Sequence, residues 1–318
     1  MAKSDNIRLS ILGLPIIQTI DDFSKLTHVS KYTLYQLSEH SDKYYKTYNI
    51  AKKSGSTRTI SQPSKKLKGL HSWILINILN QLEVSNSSKG FEKGSSTAHN
   101  AKPHISSNCI LNVDLKSFFD NVTSKQVYNV FKAIGYNQLM STVLTNICTF
   151  NGSLPQSGPC SPRLANLVCW KLDKRIQGFV GKRGISYTRY ADDLTFSGLN
   201  PINVVQTLPM IKKIVEDEGF SLNSKKTRIA GASRSKTVTG LVISENSFGI
   251  GKKKYKLLRS KIHHLTFPKE QKNFDLLNDV SGWISYLNSV DKKRFFKVNK
   301  YIQALKKKHP KTLIDKLK

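Results

Sequence analysis

Residues 187–196 read Tyr-Thr-Arg-Tyr-Ala-Asp-Asp-Leu-Thr-Phe, so two adjacent acids lie between short β-prone runs. Tyr, Thr and Phe favour strands and Asp tolerates a turn, so the pattern predicts a β-hairpin with Asp192 and Asp193 at its tip. Adjacent carboxylates repel each other and normally need a cation. With a third acid, such a cluster can hold two Mg²⁺ ions about 3.5–4 Å apart, an arrangement suited to phosphoryl displacement.

The candidate third acid is Asp114. It lies in residues 109–115, which read Cys-Ile-Leu-Asn-Val-Asp-Leu. The alternation of a strand places Leu111, Val113 and Leu115 on one face and Asp114 on the other, so one face packs while the other can carry chemistry. Acid pairs in surface turns and acids at strand ends often bind nothing, so the rest of the chain has to support this interpretation.

The charge of the chain indicates a polyanionic partner. Lys and Arg number 51 against 21 acids in 318 residues, which gives a net charge of +30, while 38% hydrophobic residues suffice for a sizeable core. The basic residues are denser at 65–68, 252–261 and 292–308 but occur throughout. An excess of this size favours nucleic-acid binding through counterion release, although it does not separate a polymerase from a packaging protein.

The four cysteines form no Cys-x-x-Cys pair, and the first residues lack the organisation of a signal peptide. The apolar runs are too short and interrupted to cross a bilayer. We therefore expect a reduced, cytoplasmic protein with no membrane role.

The remaining pattern predicts an α+β protein. We expect Ser161 to be the N-cap of a helix and Pro162 its first helical residue, followed by a buried stripe at fourfold spacing. The other predicted elements are a hairpin at 48–62, helices at 67–82, 127–134, 139–147 and 211–218, strands at 227–230 and 237–244, and three helices after Gly251.

The order of these features resembles reverse transcriptases. A strand with Asp114, a Pro/Gly loop with Gln156, the acidic hairpin and a later Lys225-Lys226 pair follow one another as they do in that class. The hairpin residues Tyr190-Ala191-Asp192-Asp193 match its Tyr-x-Asp-Asp box. RNA-dependent RNA polymerases more often carry Gly-Asp-Asp there, so the match favours DNA synthesis.

Two further motifs resemble the bacterial retron reverse transcriptases in particular. Residues 100–104 match their Asn-Ala-x-x-His signature, and residues 238–240 match their Val-Thr-Gly signature. One loop departs from the family, which usually has Pro-Gln-Gly-x-x-Ser-Pro. Here Ser157 follows Gln156 and the glycine is displaced to Gly158, so we expect a locally reshaped nucleotide pocket.

The resemblance implies a right-hand polymerase fold with fingers, palm and thumb, the palm being an antiparallel sheet with helices. We expect an N-terminal helical extension at 1–50 and fingers at 51–108. The palm should occupy 109–250, with an interleaved fingers segment at about 123–155. A small basic helical thumb should occupy 251–318.

The resemblance also implies the active-site roles. Asp114, Asp192 and Asp193 would be catalytic and would hold two Mg²⁺ ions, or Mn²⁺ as a substitute, with the Leu115 carbonyl as a possible extra ligand. The implied nucleotide contacts are Arg58 on the triphosphate, Phe119 against the ribose 2′ position, Gln156 on the incoming nucleotide, and Lys226, or equally Lys225, near the pyrophosphate. Phe118, beside Phe119, is better explained by core packing.

RNA contacts are expected from the two retron signatures and from the first thumb helix. The residues are Asn100, His104, Val238, Thr239, Gly240, Lys252, Lys253, Lys254, Lys256, Arg259 and Lys261. A solvated helix face explains some of these lysines but explains such one-sided charge poorly.

The implied function is an RNA-directed DNA polymerase that uses dNTPs to copy a structured noncoding RNA. In the family, synthesis starts from a guanosine 2′-hydroxyl and yields the branched RNA-DNA hybrid msDNA, in antiphage defence with a separate effector protein. The sequence shows no acidic cluster after Ile250, so we expect template removal by a host RNase H. The alternatives are a group II intron or diversity-generating reverse transcriptase, and a non-catalytic RNA-binding protein with a polymerase shape.

Overall fold

The computed structural model describes residues 2–51, 55, 57–267 and 273–317. Helices and strands alternate in an α+β arrangement, which confirms the predicted class. The α-helices are α1 (Ala2–Ile11), α2 (Ile20–Thr27), α3 (Lys31–Glu39), α4 (Lys65–Asn77), α5 (Thr97–Ala101), α6 (Ser124–Ile134), α7 (Gln138–Cys148), α8 (Ser161–Val168), α9 (Trp170–Gly181), α10 (Pro201–Gln206), α11 (Leu208–Asp217), α12 (Gly251–His264), α13 (Phe274–Val290) and α14 (Lys292–Lys308).

Within the described residues, the strands form three antiparallel sheets with the orders β1-β2, β4-β5-β3-β6 and β7-β8-β9. Their bounds are β1 (Tyr45–Ala51), β2 (Thr57–Pro63), β3 (Cys109–Asp114), β4 (Ser186–Tyr190), β5 (Asp193–Gly198), β6 (Arg228–Ala230), β7 (Thr237–Val238), β8 (Leu241–Ile243) and β9 (Phe248–Gly249). The central four-stranded sheet carries both acidic segments, because β3 lies between β5 and β6.

The β1–β2 pair, here called the outer hairpin, begins three residues before the predicted position. Its register runs from Tyr45 opposite Pro63 to Ala51 opposite Thr57. Apart from Gly55, the turn between the strands lies outside the described residues. In β1 every side chain is exposed except the half-buried Tyr45, so this hairpin projects from the body.

The buried residues that the structure describes form two hydrophobic clusters, and β3 contributes to both. Leu111 and Val113 belong to the larger cluster, with the central sheet and the helices around it. Ile110, on the opposite face, belongs to a second cluster with Val238 and the apolar stripes of α12, α13 and α14. The prediction that only one face of β3 packs is therefore wrong. The β7-β8-β9 sheet shares its core with the basic helices, although the predicted domain boundary at 250/251 divides them.

The helix after the Pro/Gly loop differs from the prediction in two ways. Cys160 is its N-cap, while Ser161 is the first helical residue and makes no capping hydrogen bond. The predicted continuous helix ends at Val168 and resumes as α9 after Cys169. The apolar stripe crosses this break, since Leu172 in α9 is buried in the same cluster as α8. Among the helices described, none has the length and hydrophobicity needed to cross a membrane.

Candidate active site

Asp114 and Asp193 lie directly opposite each other on neighbouring strands. They form the last pair in the antiparallel register of β3 and β5. Directly opposed side chains share one face of the sheet, with Cβ atoms about 4.5–5.5 Å apart. The peptide N–H of Leu115 donates to the carbonyl oxygen of Asp192 at 2.9 Å. The backbone therefore brings the three acids to one end of the central sheet.

The turn of the acidic hairpin, formed by β4 and β5, consists of Ala191 and Asp192, since Tyr190 pairs with Asp193. Ala191 has a φ of 58°, in the left-handed region that residues with a Cβ rarely adopt. Such strain persists only where the surroundings fix the backbone, and it often marks functional sites. The position of the Asp192 carboxylate thus depends on what holds Ala191.

Desolvation, together with neighbouring negative charge, perturbs two of the acids. Desolvation, together with the charges of Asp192 and Asp114, raises the pKa of Asp193 to about 6, although its side chain is partly exposed. Desolvation and the charge of Asp114 also raise the pKa of Asp192, while Lys226 and Arg58 act in the opposite direction. Burial and like charges disfavour ionisation, and a bound cation would relieve both.

Lys226 is the basic partner of Asp114. Its Nζ donates to Asp114 Oδ2 at 2.7 Å, and this hydrogen bond raises the pKa of Lys226. Asn223 Nδ2 donates to the other oxygen, Oδ1, at 3.3 Å. Both adjacent lysines are exposed, and Lys226 is the one whose ammonium group contacts the acid cluster.

Across the residues that the structure describes, no three or more His, Cys, Asp or Glu side chains are arranged to hold a metal ion. The donor chemistry at Asp114, Asp192 and Asp193 nevertheless fits a hard divalent cation, which takes carboxylate oxygens as ligands. The raised pKa values of Asp192 and Asp193 point the same way, because desolvation, and after it the neighbouring carboxylates, disfavour their charged forms, which a bound cation would stabilise. An ion bound through Oδ2 of Asp114 would replace the Lys226 ammonium there.

The predicted nucleotide contacts lie on separate elements. Arg58 is exposed on β2, and its charge acts on Asp192. Gln156 is half-buried in the loop before α8. Hydrogen bonds join this loop to Val122, through Leu154, and to β2, through Ser157. Ser157, the residue that departs from the family pattern, donates its hydroxyl hydrogen to the carbonyl oxygen of Ser61. The loop with Gln156 is thereby fastened to the strand that carries Arg58.

The displaced glycine also has a structural reason. A Cβ on Gly158 would lie 2.6 Å from Ser161 Oγ and 3.0 Å from Pro155 Cγ, so a side chain cannot be accommodated without movement.

Phe119 follows the end of β3 and is half-buried. The centroid of its ring lies 5.3 Å from that of Phe118. Phe118 is buried against the core, as expected from packing.

The structure contains a buried ion pair behind the acidic hairpin, between Arg189 and Asp173, that was not predicted from the sequence. Arg189 in β4 donates from Nε and Nη2 to the two carboxylate oxygens of Asp173 in α9, both at 2.8 Å. Arg189 Nη1 also donates to Ala191 O at 3.2 Å and to Asn166 Oδ1 at 3.0 Å. Both charged side chains are fully buried. This network fixes the carbonyl of the strained turn residue.

The sequence did contain a signal for this pair. A buried charge is rare unless it is paired. Arg189 interrupts a β-prone run, and Asp173 directly follows Leu172 of the buried stripe. Tyr187 completes the arrangement, since its hydroxyl donates to Asp173 Oδ1 at 2.7 Å.

The loop at residues 87–92 covers the other side of the turn. The peptide N–H of Lys89 donates to Arg189 O, and that of Arg189 donates to Ser87 O, each at 2.7 Å. A Cβ on Gly90 would lie 2.6 Å from the backbone nitrogen of Ala191, so the two backbones are in close contact. Only glycine permits such an approach without movement. The turn is therefore enclosed by backbone on one side and by Arg189 on the other.

The expectation that Asn100, His104 and Val238 contact RNA directly is corrected by their burial, since all three are 0% exposed. His104 Nδ1 lies 2.7 Å from Ser197 Oγ and His104 Nε2 lies 2.7 Å from Thr188 Oγ1, so this residue ties β4 to β5. Burial lowers the pKa of His104 to about 4, which keeps it neutral.

The two retron signatures instead contact each other. Asn100 Nδ2 donates to Thr239 Oγ1 at 3.5 Å, and Val238 packs in the core cluster that contains Ala101. Thr239 is half-buried and Gly240 is exposed, so these two remain accessible to a ligand. The signatures thus connect the acidic hairpin, through His104, with the β7-β8-β9 sheet.

The basic residues of α12 border a wide cleft. Lys252, Lys253 and Lys254 line a cavity of roughly 1200 Å³ between this helix, the β7-β8-β9 sheet and the start of α14. Lys254 Nζ donates to Gly240 O at 2.8 Å. The remaining predicted contacts are Lys256, which is exposed, Arg259, which lies over the Tyr301 ring at 4.4 Å, and Lys261, which pairs with Asp279.

Known proteins resemble this chain over its whole length. Residues 50–277 match the reverse transcriptase (RNA-dependent DNA polymerase) family. The chain is 46% identical to the retron Ec86 reverse transcriptase of Escherichia coli over 316 residues. This alignment covers 99% of this chain and 98% of that protein. The chain belongs to the retron reverse transcriptases. It is therefore an RNA-directed DNA polymerase with the right-hand fold, and the predicted family, fold and enzyme class are confirmed.

More distant relatives agree with this assignment. The retron Mx65 reverse transcriptase of Myxococcus xanthus is 31% identical to this reverse transcriptase in an alignment of 281 residues that covers 81% of this chain and 66% of that protein. A solved structure of telomerase from Candida albicans, with a fragment of telomeric RNA, aligns with 83% of this chain and 59% of its own at 13% identity and a TM-score of 0.45. That likeness is too weak to add to the assignment.

Proposed function

We propose that this reverse transcriptase binds two Mg²⁺ ions through Asp114, Asp192 and Asp193 and copies a structured noncoding RNA into msDNA. The observation that carries this proposal is the register of the central sheet, which sets Asp114 opposite Asp193 with Asp192 in the adjoining turn. Magnesium bound there would activate the attacking hydroxyl and neutralise charge on the leaving pyrophosphate.

The protein's own residues would position the reactants. The ammonium group of Lys226, which is now paired with Asp114, would move to the pyrophosphate when the Asp114 carboxylate binds the ion. Arg58 would bind the triphosphate from the outer hairpin, and Gln156 would contact the nucleotide from the loop that Ser157 fastens to β2. Phe119 would crowd the ribose 2′ position and so favour dNTPs. Positioning and charge neutralisation account for most of the catalysis of phosphoryl transfer.

The RNA would lie along the exposed basic surface. Lys252, Lys253 and Lys254 face a cleft large enough for a nucleic-acid backbone, and Thr239 and Gly240 are accessible nearby. Phosphate contacts of this kind position a template without reading its sequence. We propose the Leu115 carbonyl as a further metal ligand, because its own peptide N–H is held against Asp192.

Membership of the retron family supports the biological role. We propose that synthesis starts from a guanosine 2′-hydroxyl in the cognate RNA, that the msDNA acts with a separate effector protein in antiphage defence, and that a host RNase H removes the template. The reaction would take place in the cytoplasm, where the RNA is transcribed.

The test is DNA synthesis by the purified protein on the RNA transcribed beside its gene, with Mg²⁺ and dNTPs. We expect a branched product, no product from an unrelated RNA, and loss of incorporation in Asp192→Asn with RNA binding retained. Asp120→Asn is the matched control, because Asp120 is an exposed acid beyond the cluster. Equal extension of unrelated RNAs would favour another reverse transcriptase lineage, and incorporation by Asp192→Asn would refute the catalytic assignment.

A further inference from the structure

Phe91 is held in a conformation that its own side chain opposes. Its φ is 62°, in the left-handed region, and its side chain is 47% exposed. A bulky residue in this region is strained, and glycine would adopt it without cost. Burial does not explain a large apolar ring at this position, since about half of the ring faces solvent. The ring must therefore be explained by what it touches.

The residues on both sides of Phe91 are fixed by one side chain. Asn166 Nδ2 donates to Gly90 O at 2.8 Å and to Glu92 Oε1 at 2.7 Å. Glu92 also forms an ion pair with Arg163. Gly90 in turn contacts the backbone of Ala191 in the acidic hairpin. The surroundings thus enforce the strained backbone and set the direction of the ring relative to the catalytic turn.

The ring of Phe91 lies against Phe119, with centroids 6.1 Å apart at an interplanar angle of 47°. Phe119 also contacts Phe118, with centroids 5.3 Å apart, and Phe118 contacts the buried Phe220 at 5.9 Å. The four rings form a row from the core to the surface. Phe119 is the third ring in this series, so it has a buried aromatic neighbour in Phe118 and an exposed one in Phe91.

We propose that Phe91 is a positioning residue for sugar discrimination, because it holds the Phe119 ring in the orientation that excludes a ribose 2′-hydroxyl. This inference rests on the proposed function of Phe119. An aromatic neighbour restricts a ring by direct contact. Without Phe91, Phe119 could rotate toward solvent and leave room for the hydroxyl, although the catalytic acids would be unchanged.

The test compares kcat/KM for a dNTP with that for the matching rNTP, using the full chain on its RNA template. Phe91→Gly is the informative variant, because glycine suits the observed backbone and only the ring is lost. We expect its preference for dNTPs to fall about 3- to 10-fold, the range that one aromatic contact supplies. Phe91→Tyr should retain the preference, and Phe91→Leu should give an intermediate value.

Phe119→Ala, alone and combined with Phe91→Gly, shows whether Phe91 acts on sugar preference through Phe119. Phe119→Ala should lower the preference further, and adding Phe91→Gly to it should cause no additional fall. Phe296→Ala is the matched control, since Phe296 is an exposed phenylalanine with one aromatic neighbour on α14. Thermal unfolding of each variant reports any loss of folding.

Three results would overturn the proposal. If Phe119→Ala lowers the preference and Phe91→Gly and Phe91→Leu do not, the sugar gate stands and the role of Phe91 is wrong. If the effects of Phe91→Gly and Phe119→Ala simply add, Phe91 does not act through Phe119. If Phe119→Ala leaves the preference unchanged, the proposed gate itself is wrong and this inference falls with it.

Discussion

The acidic hairpin and the outer hairpin are both two antiparallel strands, but the first is packed into the body of the protein and the second is mostly exposed. In β4 and β5 most side chains are buried, and buried hydrogen bonds hold the turn from both sides. In β1 and β2 most side chains are exposed, and contacts to the body come from few residues, among them Ser61. The backbone that carries Asp192 and Asp193 is thus held in place, whereas Arg58 lies on an element whose side chains are mostly exposed.

The largest predicted effect is a loss of stability when the buried ion pair that supports the acidic hairpin is broken. Asp173→Asn leaves the fully buried Arg189 charged and unpaired, which should cost about 3–5 kcal/mol of the free energy of unfolding. Replacing both residues, as Asp173→Leu with Arg189→Met, should cost less because no buried charge remains. Unfolding in urea measures both. A loss below about 1 kcal/mol in Asp173→Asn would show that this network does not support the turn.

The second effect concerns pH and His104, which joins the two strands of the acidic hairpin. Burial lowers the pKa of His104 to about 4, whereas in the unfolded chain it titrates near 6.5. Between these values the unfolded chain takes up a proton and the folded chain does not. Stability from this group is therefore complete above pH 6.5 and falls as the pH drops toward 4, by up to about 3 kcal/mol.

His104→Gln should reduce the slope of this dependence, because glutamine cannot titrate. The slope that remains includes His71, whose pKa burial also lowers to about 4. Urea unfolding at pH 7, 5.5 and 4.5 checks the slope, with His40→Gln as the control at an exposed histidine. A slope in His104→Gln equal to that of the unchanged protein would contradict the assignment.

The third effect concerns the outer hairpin. Arg58→Ala should raise KM for dNTPs about tenfold, as expected for loss of one charged hydrogen bond, with little change in stability because Arg58 is exposed. Steady-state kinetics on the cognate template measure it. Arg8→Ala removes an exposed arginine from α1 and should leave KM unchanged. Equal KM values for the two variants would remove Arg58 from the nucleotide site.

The smallest effect tests how the outer hairpin is attached. Ser157→Ala removes the hydroxyl that donates to Ser61 and should raise KM for dNTPs about threefold, the contribution of one ordinary hydrogen bond. Amide hydrogen exchange in residues 57–63 should become faster. Ser157→Thr retains a hydroxyl and should behave like the unchanged protein. Unaltered exchange in Ser157→Ala would mean that other contacts hold the hairpin.

The sequence predicted the features that depend on local pattern. The alternation at 109–115 gave the strand and the face of Asp114, and the β-prone run around Asp192 gave the acidic hairpin, because strand periodicity is visible within a few residues. The retron signatures were visible as motifs. The family that they indicate is confirmed. The catalytic roles that the resemblance implies for Asp114, Asp192 and Asp193 stay predictions.

Contacts between remote residues could not be predicted in this way. Lys226 lies 112 residues from Asp114, and periodicity does not reveal that its ammonium bonds the carboxylate. His104 carries a polar side chain in a polar segment, so its complete burial depends on the packing of α5 against the acidic hairpin. Ser161 matched the N-cap pattern, yet the helix begins one residue earlier than that pattern implies.

The most direct test of the account is the binding of Mn²⁺, as a probe for Mg²⁺, to the purified protein, followed by electron paramagnetic resonance. If the three acids form one divalent-ion site, Asp114→Asn and Asp192→Asn should each weaken binding by about tenfold or more, because each removes a charged ligand. Asp120→Asn should bind like the unchanged protein. Unchanged Mn²⁺ affinity in Asp114→Asn would contradict the claim that the central sheet assembles a metal site.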